Sequence, residues 1–154
     1  MSENQEGQQE GGRQLICRLI TPEKIVYDGE AKLVVARIAD GDIGVNVDHA
    51  PLVSTVEPRE VRIYDEDDER YVFATSDGFF KITENLVQIL VEEAQTPEEI
   101  DVNEAENRIE QAENELSELP EDEDEETESQ RKDIERRRQV AENLVRVARE
   151  YGEG

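Results

Sequence analysis

The residue best suited to proton transfer or metal binding is His49, the only histidine in the chain. It follows Asp48 in the stretch GDIGVNVDHAPLV, residues 41 to 53. A catalytic histidine needs a base or nucleophile within hydrogen-bond reach. If both residues lie in a strand, however, the Asp48 side chain points to the opposite face. One histidine and one cysteine are also too few for a transition-metal cage. The pattern therefore argues against a catalytic or metal-binding role for His49.

Other polar side chains also fail to form a catalytic constellation. Ser76 lies in TSDG, residues 75 to 78, which lacks the nucleophile-elbow pattern and is typical of a hairpin turn. No glycine-rich loop opens a helix, so neither a P-loop nor a dinucleotide fingerprint is present. Cys17 alternates with Leu15 and Leu19 in a strand-like run, which indicates a core position. We therefore expect no intrinsic catalysis, no metal and no bound cofactor.

The acidic balance of the chain limits its partners. It has 41 acidic and 17 basic residues, for a formal net charge of −24, which makes binding to nucleic acid or anionic lipid unfavourable. No apolar run approaches the roughly 20 residues of a membrane-spanning helix, and the polar N-terminus lacks the apolar part of a signal peptide. We expect a cytosolic protein that meets a membrane only through partner proteins. Such a charge also suggests a halophilic, salt-rich cytoplasm.

One segment departs from this acidic balance. Between Arg131 and Arg149 there are seven basic residues and three acidic ones, so the segment is locally positive. In one interpretation, these cations balance nearby acidic residues and complement the C-terminal end of a helix dipole. In the other, they form a surface for an acidic partner. The residues alone do not decide between the two.

Short strand-like runs dominate the first part of the chain. Residues 1 to 13 contain mostly Gln, Glu and Gly, a composition typical of a disordered tail. From residue 14 to 96, turn-forming pairs such as Asp-Gly and Glu-Asn separate β-rich runs of about four to eight residues. These runs are LICRLI, KIVYD, AKLVVARI, LVSTV, VRIYD, RYVFAT, FFKI and LVQILV. Because no helical pattern intervenes, they predict an all-β sandwich of about eight to ten short strands.

The hydrophobic period changes after Pro97. Apolar residues from 102 to 119 recur at steps of three and four, which predicts an amphipathic helix with Asp101 as its cap. Pro120 and six consecutive carboxylates predict a loop over residues 120 to 130, because like charges repel along a helix. A second helical stripe resumes near Gln130. Residues 97 to 154 are therefore predicted to form an antiparallel helical hairpin, in an α+β protein.

A β domain followed by a helical hairpin, with four motifs, resembles the epsilon subunit of F-type ATP synthases. The stretch GDIGVNVDHAPL is similar to the family pattern Gly-acidic-apolar-Gly-apolar-Leu-Pro-Gly-His-Ala-Pro-Leu. LITPEKIVYDGEAKLVVA resembles the family's opening strand and hairpin, and FATSDGFFKITENLVQILVEEA resembles its Ser-Gly-Gly-Phe hairpin. EIDVNEA resembles its IDxxRA helix start. The motifs cover about residues 14 to 116, and the remainder matches by architecture.

The chain departs from the family pattern at several glycines and at one arginine. Asp48, Asp77 and Arg59 stand where the family has glycine. Aspartate tolerates the left-handed backbone conformation that glycine often adopts, whereas arginine adopts this conformation less readily. Ile100 and Asp101 match the start of the motif in ATP-binding members, but Glu104 stands where those members carry arginine. A carboxylate repels phosphate. We therefore interpret Asp101 as a helix cap and expect no bound ATP.

The resemblance implies a non-catalytic rotor subunit of a proton-translocating ATP synthase, peripheral to the cytoplasmic face of the cell membrane. Its β domain would join the gamma subunit to the c-ring, and its hairpin would act as a brake on ATP hydrolysis. The implied docking loop for gamma and the c-ring contains Asp42, His49, Ala50 and Pro51, with His49 bracing the loop by hydrogen bonding. The implied contact with the acidic DELSEED segment of the beta subunit consists of Arg131, Lys132, Arg136, Arg137 and Arg138.

A different class of function also fits the composition. An acidic, non-enzymatic binding module, such as a nucleic-acid mimic, would use clustered carboxylates as its working surface. Against this alternative, the densest carboxylates lie in a loop predicted between two helices and not on a regular face.

Overall fold

The computed structural model describes residues 13–121 and 124–152. Within these residues ten strands are followed by two helices, which confirms the predicted α+β architecture. Residues 1–12, which contain nearly all of the predicted tail, lie outside the described residues. The strands are β1 (Leu15–Ile20), β2 (Ile25–Ala31), β3 (Leu33–Ile38), β4 (Gly41–Val45), β5 (Leu52–Val56), β6 (Glu60–Tyr64), β7 (Arg70–Thr75), β8 (Gly78–Thr83), β9 (Leu86–Val91) and β10 (Ala94–Gln95).

The strands pair in the order β10-β7-β6-β3-β5-β8-β9-β1-β2, and β4 pairs with the edge of β3. Strands β1 and β9 run parallel, and the other described pairs run antiparallel. The sheet folds over itself into a sandwich, because alternate side chains along each strand are apolar and turn inward. In β1 these are Leu15, Cys17 and Leu19, each at most 1% exposed. Burial, with a smaller contribution from Asp28, raises the pKa of Cys17 to about 12, as expected for an inert core thiol.

The segment from Thr75 to Gly78 is not the hairpin turn that the sequence predicts. It joins β7, which pairs with β6 and β10, to β8, which pairs with β5 and β9. Ser76 is 4% exposed, and its hydroxyl accepts hydrogen bonds from the backbone N–H groups of Glu92 and Glu93 at 3.0 and 3.2 Å. These bonds fix the crossing between the two halves of the sandwich, so the serine has a structural role.

Helix α1 spans Val102–Glu118 and follows a single 3₁₀ turn, Pro97–Glu99. Asp101 caps its N-terminus by accepting a hydrogen bond from the Glu104 backbone N–H at 3.1 Å, which confirms the predicted cap. Leu119 ends the helix in an extended conformation, directly before Pro120. This ending is expected, since proline disfavours a helical conformation in the preceding residue.

Helix α2 spans Glu125–Tyr151 and begins five residues before the predicted start at Gln130. The Asp124 carboxylate caps it by accepting a hydrogen bond from the Thr127 backbone N–H at 2.8 Å, which lowers the pKa of Asp124. Three glutamates then occupy the first turn: Glu125, Glu126 and Glu128. Repulsion between carboxylates was expected to prevent a helix here. At an N-terminus, however, the helix dipole and the free N–H groups attract negative charge, so the carboxylates of residues 124–128 favour the start of the helix. Residues 122 and 123 of the predicted loop lie outside the described residues.

The two helices run antiparallel, as predicted. Arg137 of α2 pairs with Glu115 of α1 at 2.7 Å, while Arg149, further along α2, pairs with Glu106, nearer the start of α1, at 2.8 Å. Small buried residues, Ala105, Ala112 and Ala141, allow the helices to approach closely. Neither helix has the combination of length and apolarity that crossing a bilayer requires.

The acidity of the chain predicts a fold that salt stabilises. With a net charge of −24, we expect repulsion among the carboxylates to exceed the attraction within the exposed ion pairs. At 1 M salt the screening length falls to about 3 Å, which weakens this repulsion. We expect the free energy of unfolding to rise by about 1 kcal/mol, roughly 4 °C in Tm, between dilute buffer and molar potassium chloride. Thermal unfolding followed by circular dichroism measures this change. A Tm that stays flat or falls would contradict the prediction.

Candidate docking surfaces

The turn that contains His49 joins β4 to β5 and is held by a second turn. Asp48 adopts the left-handed conformation with φ of 67°, as its position in the motif predicts. Its backbone N–H donates to Asn85 Oδ1 at 2.5 Å, and Asn85 Nδ2 donates to Asp48 Oδ1 at 3.2 Å. Asn85 lies in the β8–β9 turn, where both Glu84 and Asn85 also have positive φ. The two turns therefore support each other at one end of the sandwich.

His49 itself takes little part in this support. Its Nδ1 lies 2.8 Å from the carbonyl oxygen of Ala50, the next residue, and among the described residues this is its one hydrogen-bond contact. No base or nucleophile of the described chain lies within hydrogen-bond reach of the ring. Ala50 and Pro51 are exposed beside it. The turn thus presents a small apolar surface, and its shape depends on Asp48 and Asn85 more than on His49.

Asp42 lies at the other end of β4 from this turn. It faces Arg37 across the β3–β4 pair, and Arg37 Nε donates to its carboxylate at 2.7 Å. This hydrogen bond, opposed by slight burial, lowers the pKa of Asp42. At about 3.3 Å per residue, β4 separates Asp42 from Asn46 by roughly 13 Å. The structure therefore does not bring Asp42 and His49 together on one loop. It places them in two surfaces joined by a strand.

The basic segment of α2 forms several ion pairs within the protein. Arg137 pairs with Glu115 of α1, Arg136 pairs with Asp133 and lies 3.9 Å from Asp77 of the sandwich, and Arg138 lies 3.8 Å from Glu142. Arg131 donates to the Pro120 carbonyl oxygen at 3.4 Å. These contacts support the interpretation that the cations balance the chain's own acids. A partner surface would require some of these exposed pairs to exchange.

The hairpin packs against the sandwich along β7. A second apolar cluster, separate from the sandwich core, contains Val72, Ala74, Ile100, Ala105, Leu144, Val145 and Val147. Asn143, 6% exposed, donates from its side-chain amide to the Thr75 carbonyl oxygen at 3.2 Å. Glu60 of β6 accepts hydrogen bonds from both Arg146 and Tyr151. The interface therefore combines a second apolar cluster with several directional polar contacts.

Sequence reasoning missed two residues of this interface. Asn143 interrupts the apolar stripe of α2 between Val140 and Leu144, and a polar residue at a buried helical position is a signal that was available. Glu60 gives no such signal. Its partner Arg146 is 86 positions away along the chain, and nothing in a single strand of an acidic protein distinguishes one glutamate from another.

The motif that resembles an ATP site has structural roles here. Ile100, 9% exposed, belongs to the interface cluster, and Asp101 caps α1. A separate cleft of about 670 Å³, with neither of these residues in its lining, lies between the β1–β2 turn, the β8–β9 pair and both helices. Arg108, which lines this cleft, already holds Glu93 with both guanidinium nitrogens, at 2.9 and 3.3 Å. Its charge is thus matched inside the protein.

The sandwich defines the class of the protein. Residues 14–97 match the family described as ATP synthase, Delta/Epsilon chain, beta-sandwich domain. An ATP synthase epsilon chain from Rubrobacter xylanophilus is 66% identical over 143 residues, covering 93% of this chain and 97% of the relative. The chain therefore belongs to the ATP synthase epsilon chain family and is a subunit of ATP synthase.

The fold agrees with solved assemblies at low sequence identity. A chain in the Euglena gracilis mitochondrial ATP synthase, OSCP/F1/c-ring, is similar with a TM-score of 0.67 at 22% identity, covering 85% of this chain and 79% of that one. A chain in the central stalk and c-ring of the Tetrahymena thermophila enzyme has a TM-score of 0.60 at 11% identity, covering 86% of this chain and 97% of that one. These similarities confirm that the sandwich and the hairpin form a recurrent arrangement.

Proposed function

We propose that the chain is a rotor subunit whose β sandwich joins the gamma subunit to the c-ring, and whose hairpin restrains ATP hydrolysis. The enzyme would be a proton-translocating ATP synthase, with this subunit at the cytoplasmic face of the membrane. Membership of the epsilon family supports the proposal, and the two solved neighbours occur in assemblies with a c-ring. The partners would be the gamma, beta and c subunits.

The observation that carries the proposal is the separation of the two hydrophobic cores. The sandwich core consists of buried residues from 15 to 91, and no hairpin residue belongs to it. The hairpin contacts the sandwich through a second cluster, to which the sandwich contributes Val72 and Ala74. The sandwich can therefore remain docked on its partners while the hairpin moves, as a brake must.

The charges of α2 suit a reversible contact with the acidic segment of beta. Arg136, Arg137 and Arg138 have side chains that are 52%, 45% and 36% exposed in their present ion pairs. Exposed pairs of this kind contribute about 0–1 kcal/mol each. An acidic partner can therefore replace these ion pairs at a low cost in free energy. The pairs seen within the docked hairpin do not prevent the same arginines from pairing with beta after the hairpin is released.

Docking on the c-ring can be tested at Asp42. If this carboxylate faces the ring, we expect Asp42→Arg to reduce co-purification of the c-ring by about tenfold or more while gamma and beta are retained, because a reversed charge in a docked patch weakens association. The fold should survive, since an exposed pair contributes little to stability. Affinity purification of the complex with a tagged chain, followed by quantification of c, measures the effect.

Two further variants make this test specific. Asp42→Arg places a second cation opposite Arg37, and the repulsion between the two could itself disturb the strand pair. Asp42→Asn removes the negative charge without this repulsion, so a loss of the c-ring with Asp42→Asn would be due to the lost charge alone. Asp67→Arg makes the same charge change in the exposed turn between β6 and β7 and should leave the c-ring bound. Equal recovery of c with Asp42→Arg and Asp67→Arg would contradict the assignment.

A further inference from the structure

Two of the polar contacts between the hairpin and the sandwich, both from α2, meet at one carboxylate. Glu60 is the first residue of β6, and its side chain is 12% exposed. Arg146 Nη2 lies 2.6 Å from Glu60 Oε1, and the Tyr151 hydroxyl donates to Oε2 at 3.0 Å. Both oxygens of a largely buried carboxylate are therefore bound by side chains from the last turns of α2.

These bonds extend into a short network. Arg146 Nη2 also donates to Asn143 Oδ1 at 2.9 Å, and Asn143 Nδ2 donates to the Thr75 carbonyl oxygen at 3.2 Å. The Arg70 guanidinium lies 5.2 Å from the centre of the Tyr151 ring, which places a cation over its face. The network thus joins one face of α2 to both β6 and β7.

The electrostatics of Glu60 show that the network stabilises its charge. Burial acts to raise the pKa of Glu60, but hydrogen bonds from Arg146, from its own backbone and from Tyr151 outweigh it, so the pKa lies below its ordinary value. A buried carboxylate that lost these donors while the hairpin stayed docked would be left uncompensated, which is strongly unfavourable. The contacts therefore form or break together with docking.

We propose that Asn143, Arg146 and Tyr151 form a latch on Glu60 and Thr75 that holds the hairpin on the sandwich and thereby limits the time it is free to act as a brake. This inference rests on the proposed function of the hairpin. In the docked state Arg137 is paired with Glu115 and Arg146 is bound to Glu60. Arg146 can meet an acidic segment of a partner only after it has left Glu60.

The matched test uses two arginines of α2 that lie one turn apart. Arg146→Gln removes a pair that crosses to the sandwich, at 2.6 Å, whereas Arg149→Gln removes a pair of similar length, at 2.8 Å, that stays inside the hairpin. Glu60→Gln provides the second latch variant and leaves α2 unaltered. Because Cys17 is buried, spin labels on cysteines introduced at exposed Asp67 and Gln139 report the position of the hairpin in the full chain.

The expected result is a larger undocked population in both latch variants. Loss of one hydrogen bond to a charged group changes an equilibrium constant, here that of docking, by about tenfold. The fraction of molecules with a long distance between the spin labels should therefore rise about tenfold with Arg146→Gln or Glu60→Gln. With Arg149→Gln this fraction should remain at the wild-type level. In the assembled enzyme, the latch variants should lower ATP hydrolysis, while removal of the hairpin raises it. A far-ultraviolet circular dichroism spectrum equal to that of the wild type excludes unfolding as the cause.

The outcomes separate the latch from the brake. Equal distance distributions in Glu60→Gln, Arg146→Gln and Arg149→Gln would overturn the latch, whatever happens to hydrolysis. A second result would also overturn the proposal: removal of the hairpin raises hydrolysis, and the latch variants release the hairpin, but hydrolysis by these variants does not fall. In that case the latch does not control the brake. If removal of the hairpin has no effect on hydrolysis, the proposed function fails, while the distance data still support the contacts as a latch.

Discussion

Truncation of the chain after Gln95 should raise the rate of ATP hydrolysis by the assembled enzyme about fivefold or more. Fivefold is the lower end of the effect that one site typically has on another when the two are energetically coupled. The truncation retains all ten strands and removes both helices. The sandwich core loses none of its members, and the newly exposed apolar residues are Val72 and Ala74. The rotor should therefore assemble without its brake. Steady-state hydrolysis, compared at equal complex concentration and at high salt, measures the release.

A substitution series tests which part of the hairpin carries the inhibition. Replacing Arg136, Arg137 and Arg138 together with glutamine should relieve part of the same inhibition, since it removes three positive charges from α2. The circular dichroism of this variant checks that the helix survives the loss of the Arg137–Glu115 pair. Arg18→Gln, which removes an exposed pair with Asp28 on the sandwich, is the matched control and should have no effect. Unchanged hydrolysis after truncation would leave the hairpin with a structural role only.

The hydrophobic pattern was sufficient to predict the architecture. Strand-like runs with a period of two became ten strands, and the change to a period of three and four marked the helical hairpin. Both signals are local, because they depend on which faces of a strand or helix become buried. The helix cap at Asp101 was predictable for the same reason, since the residue and the N–H that it accepts are three positions apart.

The errors concern places where a local rule met a second effect. Carboxylate repulsion predicted a loop through residue 130, but α2 starts at Glu125, where the helix dipole favours the same charges. Family glycines predicted left-handed backbone at Arg59 and Asp77. Among the described non-glycine residues, φ is positive at Asp48, as predicted, and also at Asp68, Glu84 and Asn85, but not at Arg59 or Asp77, so Arg59 fits its turn without strain.

The candidate site was harder to predict than the fold. The residues of the implied docking loop are consecutive or nearly so, yet β4 places Asp42 and His49 at opposite ends of a strand. The polar contacts of α2 with the sandwich join residues far apart along the chain, 68 positions for Asn143 with Thr75 and 91 for Tyr151 with Glu60. Long-range pairing of this kind depends on how the sandwich and hairpin pack, which no local periodicity encodes.

Gly78 is the position at which a single methyl group should destabilise the sandwich most. A Cβ built there would lie 2.0 Å from the Leu90 carbonyl oxygen and 2.9 Å from Val91 Cγ1. The carbonyl belongs to the backbone of β9, and Gly78 is paired both with Val91 of β9 and with Val56 of β5. The clash can be relieved only by separating strands, so Gly78→Ala should lower the free energy of unfolding by about 3 kcal/mol or more.

Gly44→Ala is the matched control for Gly78→Ala. It adds the same methyl group in β4, where the nearest atom, Leu33 Cδ1, is at an ordinary distance of 3.5 Å. Alanine there should change stability by less than about 1 kcal/mol, since glycine in a strand is itself entropically unfavourable. Urea unfolding midpoints compare the two, and equal midpoints would contradict the clash. Because the β8–β9 hairpin carries Asn85, which forms hydrogen bonds with Asp48 of the β4–β5 turn, separation of these strands should also loosen that turn.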